Sequence, residues 1–334
     1  MKADATNGRL ALVAASVTLL AACGGGGSQP AAVEQAQRVA ITQDNATSVA
    51  AQAVDAGSGG VPNNAVVTGV QVSAEPAVPA SAIAALGGAV RRSLEVRAPA
   101  VLAGVTASTT VNCASGGSID VAVDVTDPDT ATPGDRADFT FNACVEAGVT
   151  STGRLTAILV SVNVPGTLIV SDVIASGFTA TRTGVGERLD GTVRVTLDDS
   201  NIIQSAIGVT SGSFSFERLV AGSVRATRTL TDYAYRIETV NATGDTRETF
   251  SFTASGTFPK LGRVSLVAAT TQPVITPNGA LRPTSGAGVV TGANGSNVAI
   301  TVTSTGLRLD VDSNGDGSVD ATLTPTWVQI DTEL

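Results

Sequence analysis

From about Val101 to the C-terminus, apolar and polar residues alternate with a period of two. Ile119, Val121, Val123 and Val125 interleave with Asp120 and Asp124, and Phe139 and Phe141 with Asp138, Thr140 and Asn142. The rhythm returns at Leu155, Ala157 and Leu159, at Val193, Val195 and Leu197, at Phe214 and Phe216, and at Phe250 and Phe252. It closes with Val298, Ile300 and Val302, then Leu307, Leu309 and Val311. Successive side chains of a strand point to opposite faces, so each run predicts a strand with one face on a core and one in water. Turn-forming pairs separate the runs: Asp127-Pro128, Pro133-Gly134, Pro165-Gly166, Asn278-Gly279 and Asn294-Gly295. Short-spaced strands without helices between them predict an antiparallel meander, and a sheet this long must curl, split or close. The expected fold is therefore mainly β, a large antiparallel meander sheet forming a curled half-barrel, a barrel or a sandwich, over residues 101–334. Residues 270–288, with Pro273, Pro277 and Pro283, break the pattern and predict a crossover loop or a boundary.

Before the sheet, residues 41–100 form a segment with one or two helices. Ala46, Val49, Ala50, Ala53 and Val54 share one helical face, with Thr42 as cap and Gly57 as stop. Residues 65–74 alternate weakly, as a strand would. Ile83, Leu86, Val90 and Leu94 then recur at helical spacing after Pro79, although Gly87 and Gly88 weaken that helix. Packing against the sheet or an assembly surface accounts for both helices.

At the start of the chain, Lys2 and Arg9 precede the apolar run Leu10 to Leu20, which is too short to span a bilayer. Leu20-Ala21-Ala22-Cys23 follows, and then Gly24. This stretch resembles the lipobox of bacterial lipoproteins. The resemblance implies cleavage of residues 1–22, acylation of Cys23, and a flexible Gly-, Ala- and Gln-rich spacer over residues 23–40. Two or more acyl chains hold a protein stably at a membrane. With Gly24 rather than Asp after the Cys, the resemblance further implies the outer membrane in a Gram-negative cell, at its periplasmic or surface face.

Charge changes the picture by exclusion. Without residues 1–22 the chain carries 18 basic against 28 acidic side chains, a net charge of −10. With no basic cluster, it is not built to bind nucleic acid or an anionic membrane patch. Aromatics make up 3% of the chain with one Trp, which argues against the aromatic girdles of a transmembrane barrel. Besides Cys23 there are two cysteines, Cys113 and Cys144, an even pair that an oxidising compartment joins as a disulfide.

The sharpest motif is Asp312-Ser313-Asn314-Gly315-Asp316-Gly317-Ser318-Val319-Asp320. It resembles the first nine positions of an EF-hand-type calcium loop, with Leu323 where the closing Glu belongs, and it is more similar to the DxNxDGxxD hairpin of calcium-bearing β-proteins such as integrin-type propeller blades. The resemblance implies a structural Ca2+ held by side-chain oxygens of Asp312, Asn314, Asp316 and Asp320 and the carbonyl of Ser318, with Asp310 as a further donor. Oxygen ligands converging through a glycine turn suit calcium. Asn, Asp and Gly are also what a tight hairpin uses without any metal.

Other chemistry is limited by what the chain lacks. It has no His, which removes Ser-His-Asp and Cys-His arrangements and His-ligated zinc. Lys260 is a lone base, and Asp198-Asp199 and Glu187 with Asp190 are acid pairs of the kind a carboxylate-based hydrolase needs. Gly286 to Gly292 reads as a turn between strands, Gly184-Val185-Gly186 as a hairpin end, and Trp327 as a plug near the C-terminus. The expected function is a lipid-anchored cell-envelope protein with a binding, scaffolding or structural role. Its rivals are a periplasmic carrier of a lipid or other apolar ligand, which needs a cavity lined by Val, Ile, Leu and Phe, and a carboxylate-based hydrolase, which needs two facing acids.

Overall fold

The structure is a computed structural model that describes residues 36–57, 107–127, 130–146, 148–164 and 166–334. Cys23 and the stretch that resembles a lipobox, most of the expected spacer, the strand expected at 65–74 and the helix expected after Pro79 lie outside the described residues.

Two strands open the sheet, β2 (Ala107–Asn112) and β3 (Ser118–Asp124), followed by β4 (Arg136–Glu146), β5 (Val149–Val162) and β6 (Leu168–Arg182). The longest strands follow: β7 (Val185–Asn201), β8 (Gln204–Val220) and β9 (Ser223–Val240). Then come β10 (Thr246–Phe258), β11 (Gly262–Thr276), β12 (Ser285–Thr291), β13 (Asn297–Thr303), β14 (Gly306–Asp312) and β15 (Ala321–Leu323). Each of these pairs with its sequence neighbour, so the sheet is the expected antiparallel meander. Its ends, β2 and β15, do not pair with each other, so it is one open sheet and not a closed barrel. The first strand, β1 (Gln37–Arg38), departs from the meander. It pairs parallel with β11 at Val264 and Ser265, beyond the end of β12. Gln37 and Arg38, expected in the spacer, therefore belong to the sheet.

The curl has a local cause. Gly153 on β5 has φ +94°, and a Cβ there would lie 2.3 Å from the carbonyl oxygen of Gly177 on β6. Pairing slips at this place between β5 and β6, and again between Ala175 and Phe178 and between Gly191 and Arg194 on the following pairs. Each slip is a bulge, and bulges bend a strand and strengthen its twist. Phe178 covers the bend from inside, fully buried and 5.1 Å edge-on from the ring of Phe141.

Helix α1 (Ala46–Gly57) begins later than expected, because residues 43–45 form a turn in which Ala46 N–H donates to Thr42 O. It is also not amphipathic in use. Ser48, Gln52 and Asp55 are buried along with Val49, Ala50 and Ala53. The helix packs on β10 to β14 and on a short C-terminal helix, α2 (Trp327–Asp331), which has a capping box at Thr326 and Gln329. Surrounded on several sides, it has no face left for water.

The irregular stretch expected at 270–288 shrinks to residues 277–284, with no crossover. Pro273 lies inside β11 but within the register slip at Gln272/Ile275, where β11 and β12 are not paired and a proline is tolerated. Gly286 to Thr291, expected as a turn, belongs to β12. At Asn294 and Gly295 both φ values are positive, 55° and 80°, as that turn pair predicted.

Cys113 and Cys144 are joined, tying the end of β2 to β4 near the sheet's first edge. The bond closes a span of 31 residues. Replacing both cysteines with Ser should lower unfolding stability by roughly 3–4 kcal/mol, read from urea denaturation, if the bond acts by restricting the unfolded chain.

Candidate functional site

Four consecutive strands carry polar residues where the alternation calls for apolar ones on the inner face. They are Glu187 on β7, Arg218 on β8, Arg228 on β9 and Glu248 on β10, none more than 7% exposed. Helix α1 brings Asp55 against them. Its Oδ1 accepts from Arg218 Nη1 and its Oδ2 from Arg228 Nη1, both at 2.6 Å. Arg228 Nη2 also donates to Gln52 Oε1 at 2.6 Å, and its guanidinium lies 5.7 and 5.5 Å from the rings of Phe216 and Phe258. Burial pushes Asp55 toward the neutral form, but the charges of Arg228 and Arg218 outweigh it and hold its pKa below the ordinary value. Gln52 Nε2 in turn donates to the carbonyl of Glu333, and Glu333 accepts from Ser48 and from Lys260 at 2.8 Å. Lys260, read as a lone base, is therefore an ion-pair partner of the C-terminal segment.

The second part of the cluster has a different character. Burial pushes Glu248 up to about 8, against a bond from Tyr235 that works the other way. Tyr233 and Tyr235 are themselves pushed well above the ordinary tyrosine value, first by burial and then by the acids beside them. Tyr233 Oη donates to Gly57 O at the helix end, 3.4 Å away.

Beside this cluster lies a cavity of about 360 Å³. Small residues line part of it: Ala51 on α1, Ala268 on β11 and Gly288 on β12. Its walls are apolar, with Val290, Ile300, Val302 and Phe250 among them, and Val220 and Val185 reach it from β8 and β7. Strands distant in the sheet order thus line one space, which is the direct consequence of the curl. Asp55, Arg218 and Glu248 stand at its buried side. On another side are Trp327 and the partly exposed pair Arg282–Asp331, whose nitrogen and oxygen are 2.6 Å apart. The Arg282 guanidinium sits 5.4 Å from the Trp327 ring centre.

The chain matches no protein-family model, no curated protein and no solved structure. The site therefore has to be read from its own residues.

The residues singled out in the sequence fall elsewhere. In the 312–320 hairpin the acids bind their own loop. Asp312 accepts from the N–H groups of Gly315 and Gly317 at 2.7 and 2.9 Å, Asn314 from Asp316 N–H, Asp316 from Ser318 N–H, and Asp320 from Ser313 N–H, each of these three at 2.8 Å. Partial burial works against the charge of Asp312, but the N–H groups of Gly317 and Gly315 outweigh it and keep its pKa low. These bonds account for the Asp, Asn and Gly spacing as hairpin chemistry. Among the described residues, Cys113, Cys144 and Glu146 are the one acid or thiol trio whose ligand atoms lie within 4.8 Å of one another, and those two sulfurs are bonded to each other. Glu187 and Asp190 do not form a facing pair: Glu187 is buried, while Asp190 is on the outer face with Arg188. Asp198 is held by Ser200 at the β7–β8 hairpin.

Two outcomes follow from the buried charges. Asp55→Ala removes the carboxylate that pairs with two buried guanidinium groups and should cost about 3–5 kcal/mol in denaturant unfolding. Glu248 acts with the opposite sign to Asp55. Its folded pKa of about 8 lies above the ordinary 4.5, so the folded state keeps a proton that the unfolded chain has lost. The full stability is present below pH 4.5, falls as pH rises, and is lost once pH passes about 8. In melting experiments Glu248→Gln should match the wild type near pH 4.5 and exceed it at pH 8, by a few kcal/mol at roughly 1.4 kcal/mol per pKa unit.

Proposed function

We propose that this is a lipid-anchored protein of the cell envelope that binds an apolar ligand inside its curled sheet. The cavity carries this reading. At about 360 Å³ it falls within the size range of small-molecule sites, and like them it combines apolar walls with a few convergent polar groups. A sheet with a purely scaffolding role gains nothing from such a space, since an unfilled cavity lowers stability. The lipobox residues Leu20 to Cys23 support the membrane address, and the disulfide suits an oxidising compartment. The ligand would then be held at the membrane by a carrier that does not leave it.

A carboxylate-based hydrolase is less well supported. Of the acids lining the cavity, the buried Asp55 has both oxygens engaged by guanidinium groups, and the exposed Asp331 is paired with Arg282. Neither is free to activate a water opposite Glu248.

The test is extraction of the purified full chain with organic solvent, followed by mass spectrometry, together with titration by an apolar naphthylamine fluorophore. A co-purified apolar compound and saturable dye binding are the expected results. Ala268→Phe, which places a ring in the cavity, should abolish dye binding while the circular dichroism of the sheet is retained. Dye binding that survives this substitution would locate it elsewhere and remove the basis of the proposal.

A further inference from the structure

The cavity's polar groups specify more than an apolar guest. Two nitrogens among its lining residues are buried and lack a hydrogen-bond partner: Nε of Arg218 and Nε1 of Trp327. Arg218 is 7% exposed; its Nη1 donates to Asp55 while its Nε has no partner. Both unmatched groups are N–H donors with no capacity to accept. A buried donor without an acceptor costs more than the bond it fails to make, so each is a vacancy for a ligand oxygen. The neighbouring groups do not fill it. Asp55 is saturated by two guanidinium groups, Glu248 is held to Tyr235, and Tyr233 turns to the carbonyl of Gly57. Glu187, opposite Arg218 in the β7–β8 register, balances the second guanidinium of the cluster in charge, yet the Nε of Arg218 stays unmatched.

We propose that the ligand is an acyl compound whose carbonyl or carboxylate oxygen accepts from Arg218 Nε at the buried side of the cavity, with its hydrocarbon chain against Ala268, Val290 and Ile300. This rests on the cavity being a binding site. Its volume sets the length: at roughly 30 Å³ per water-sized group, it holds about a dozen heavy atoms. A medium-length chain fits whole, whereas a diacyl lipid could insert only part of one chain. Trp327 Nε1 offers a second donor to a guest with a second oxygen.

The experiment displaces the naphthylamine fluorophore from the full chain with decanoate, methyl decanoate, decane and a diacyl phosphatidylcholine vesicle. Decanoate or its methyl ester should compete at least about tenfold better than decane, the difference expected for one hydrogen bond from a charged donor. Preference for the free acid identifies a carboxylate ligand, and equal competition by the ester identifies an acyl carbonyl. Displacement by the vesicle alone would overturn the medium-chain assignment. Arg218→Met should erase the advantage over decane. Because that variant also disturbs the Asp55 cluster, Trp327→Phe serves as the second, expected to keep the fold and to weaken a hydroxylated decanoate more than decanoate itself. If decane competes as well as decanoate, the acceptor inference fails while the cavity reading stands. If the dye binds and none of the four compounds displaces it, the acyl class is wrong. If the dye itself does not bind, the cavity reading fails first.

Discussion

A carboxylate buried between two guanidinium groups ties the one central helix to the sheet around it. Asp55 meets Arg218 on β8 and Arg228 on β9, and Arg228 is stacked between two aromatic rings. Removing three charges from water is expensive, and their mutual attraction offsets that cost only when geometry is close and the remaining donors find partners. Gln52 meets one of those donors and also reaches the carbonyl of Glu333, so the helix, the middle of the sheet and the C-terminal segment share one network. Such a cluster allows one depth and rotation for the helix, because a slip of one residue would replace Asp55 with an apolar side chain.

The sheet bends at Gly153 and Gly177 and stays open, and α1 packs against its second half, on β10 to β14. An alanine-rich helix makes a thin filler. Ala51, Ala268 and Gly288 are among the residues that line the cavity beside it. The ion cluster at one side of that space keeps the helix from shifting to close it. The buried charge cluster and the cavity thereby share residues, with Glu248 and Arg218 belonging to both.

Much of the fold was legible in the residues. Ile119 to Val125, Val193 to Leu197 and Leu307 to Val311 announced strands because burial on one face imposes a period of two. Strand β9 was harder to see for a physical reason. Arg228 occupies an inner position, and Asp232, with φ 52°, shifts the phase so that Ala226, Leu230, Tyr233 and Tyr235 do not share one parity. Residues 277–284 were overextended because Pro273 was read as a break, when a bulge accommodates it. The candidate site was the least legible part. Glu187, Arg218, Arg228 and Glu248 resemble surface residues in the sequence, since a charged side chain in a strand ordinarily faces water. Asp55 shares its helix with Thr47, Ser48 and Gln52 and was not singled out, and its partners lie 163 and 173 residues away.

The sequence by itself determined the meander, the pairing of Cys113 with Cys144 and the exclusion of histidine chemistry. Those depend on local periodicity, composition and short motifs, which a linear chain displays directly. Tertiary structure decided that the sheet wraps a helix without closing, that four polar residues turn inward, and that a cavity survives between small side chains. Each of these depends on which residues meet across the curl, and such long-range contacts leave no periodic trace along the chain.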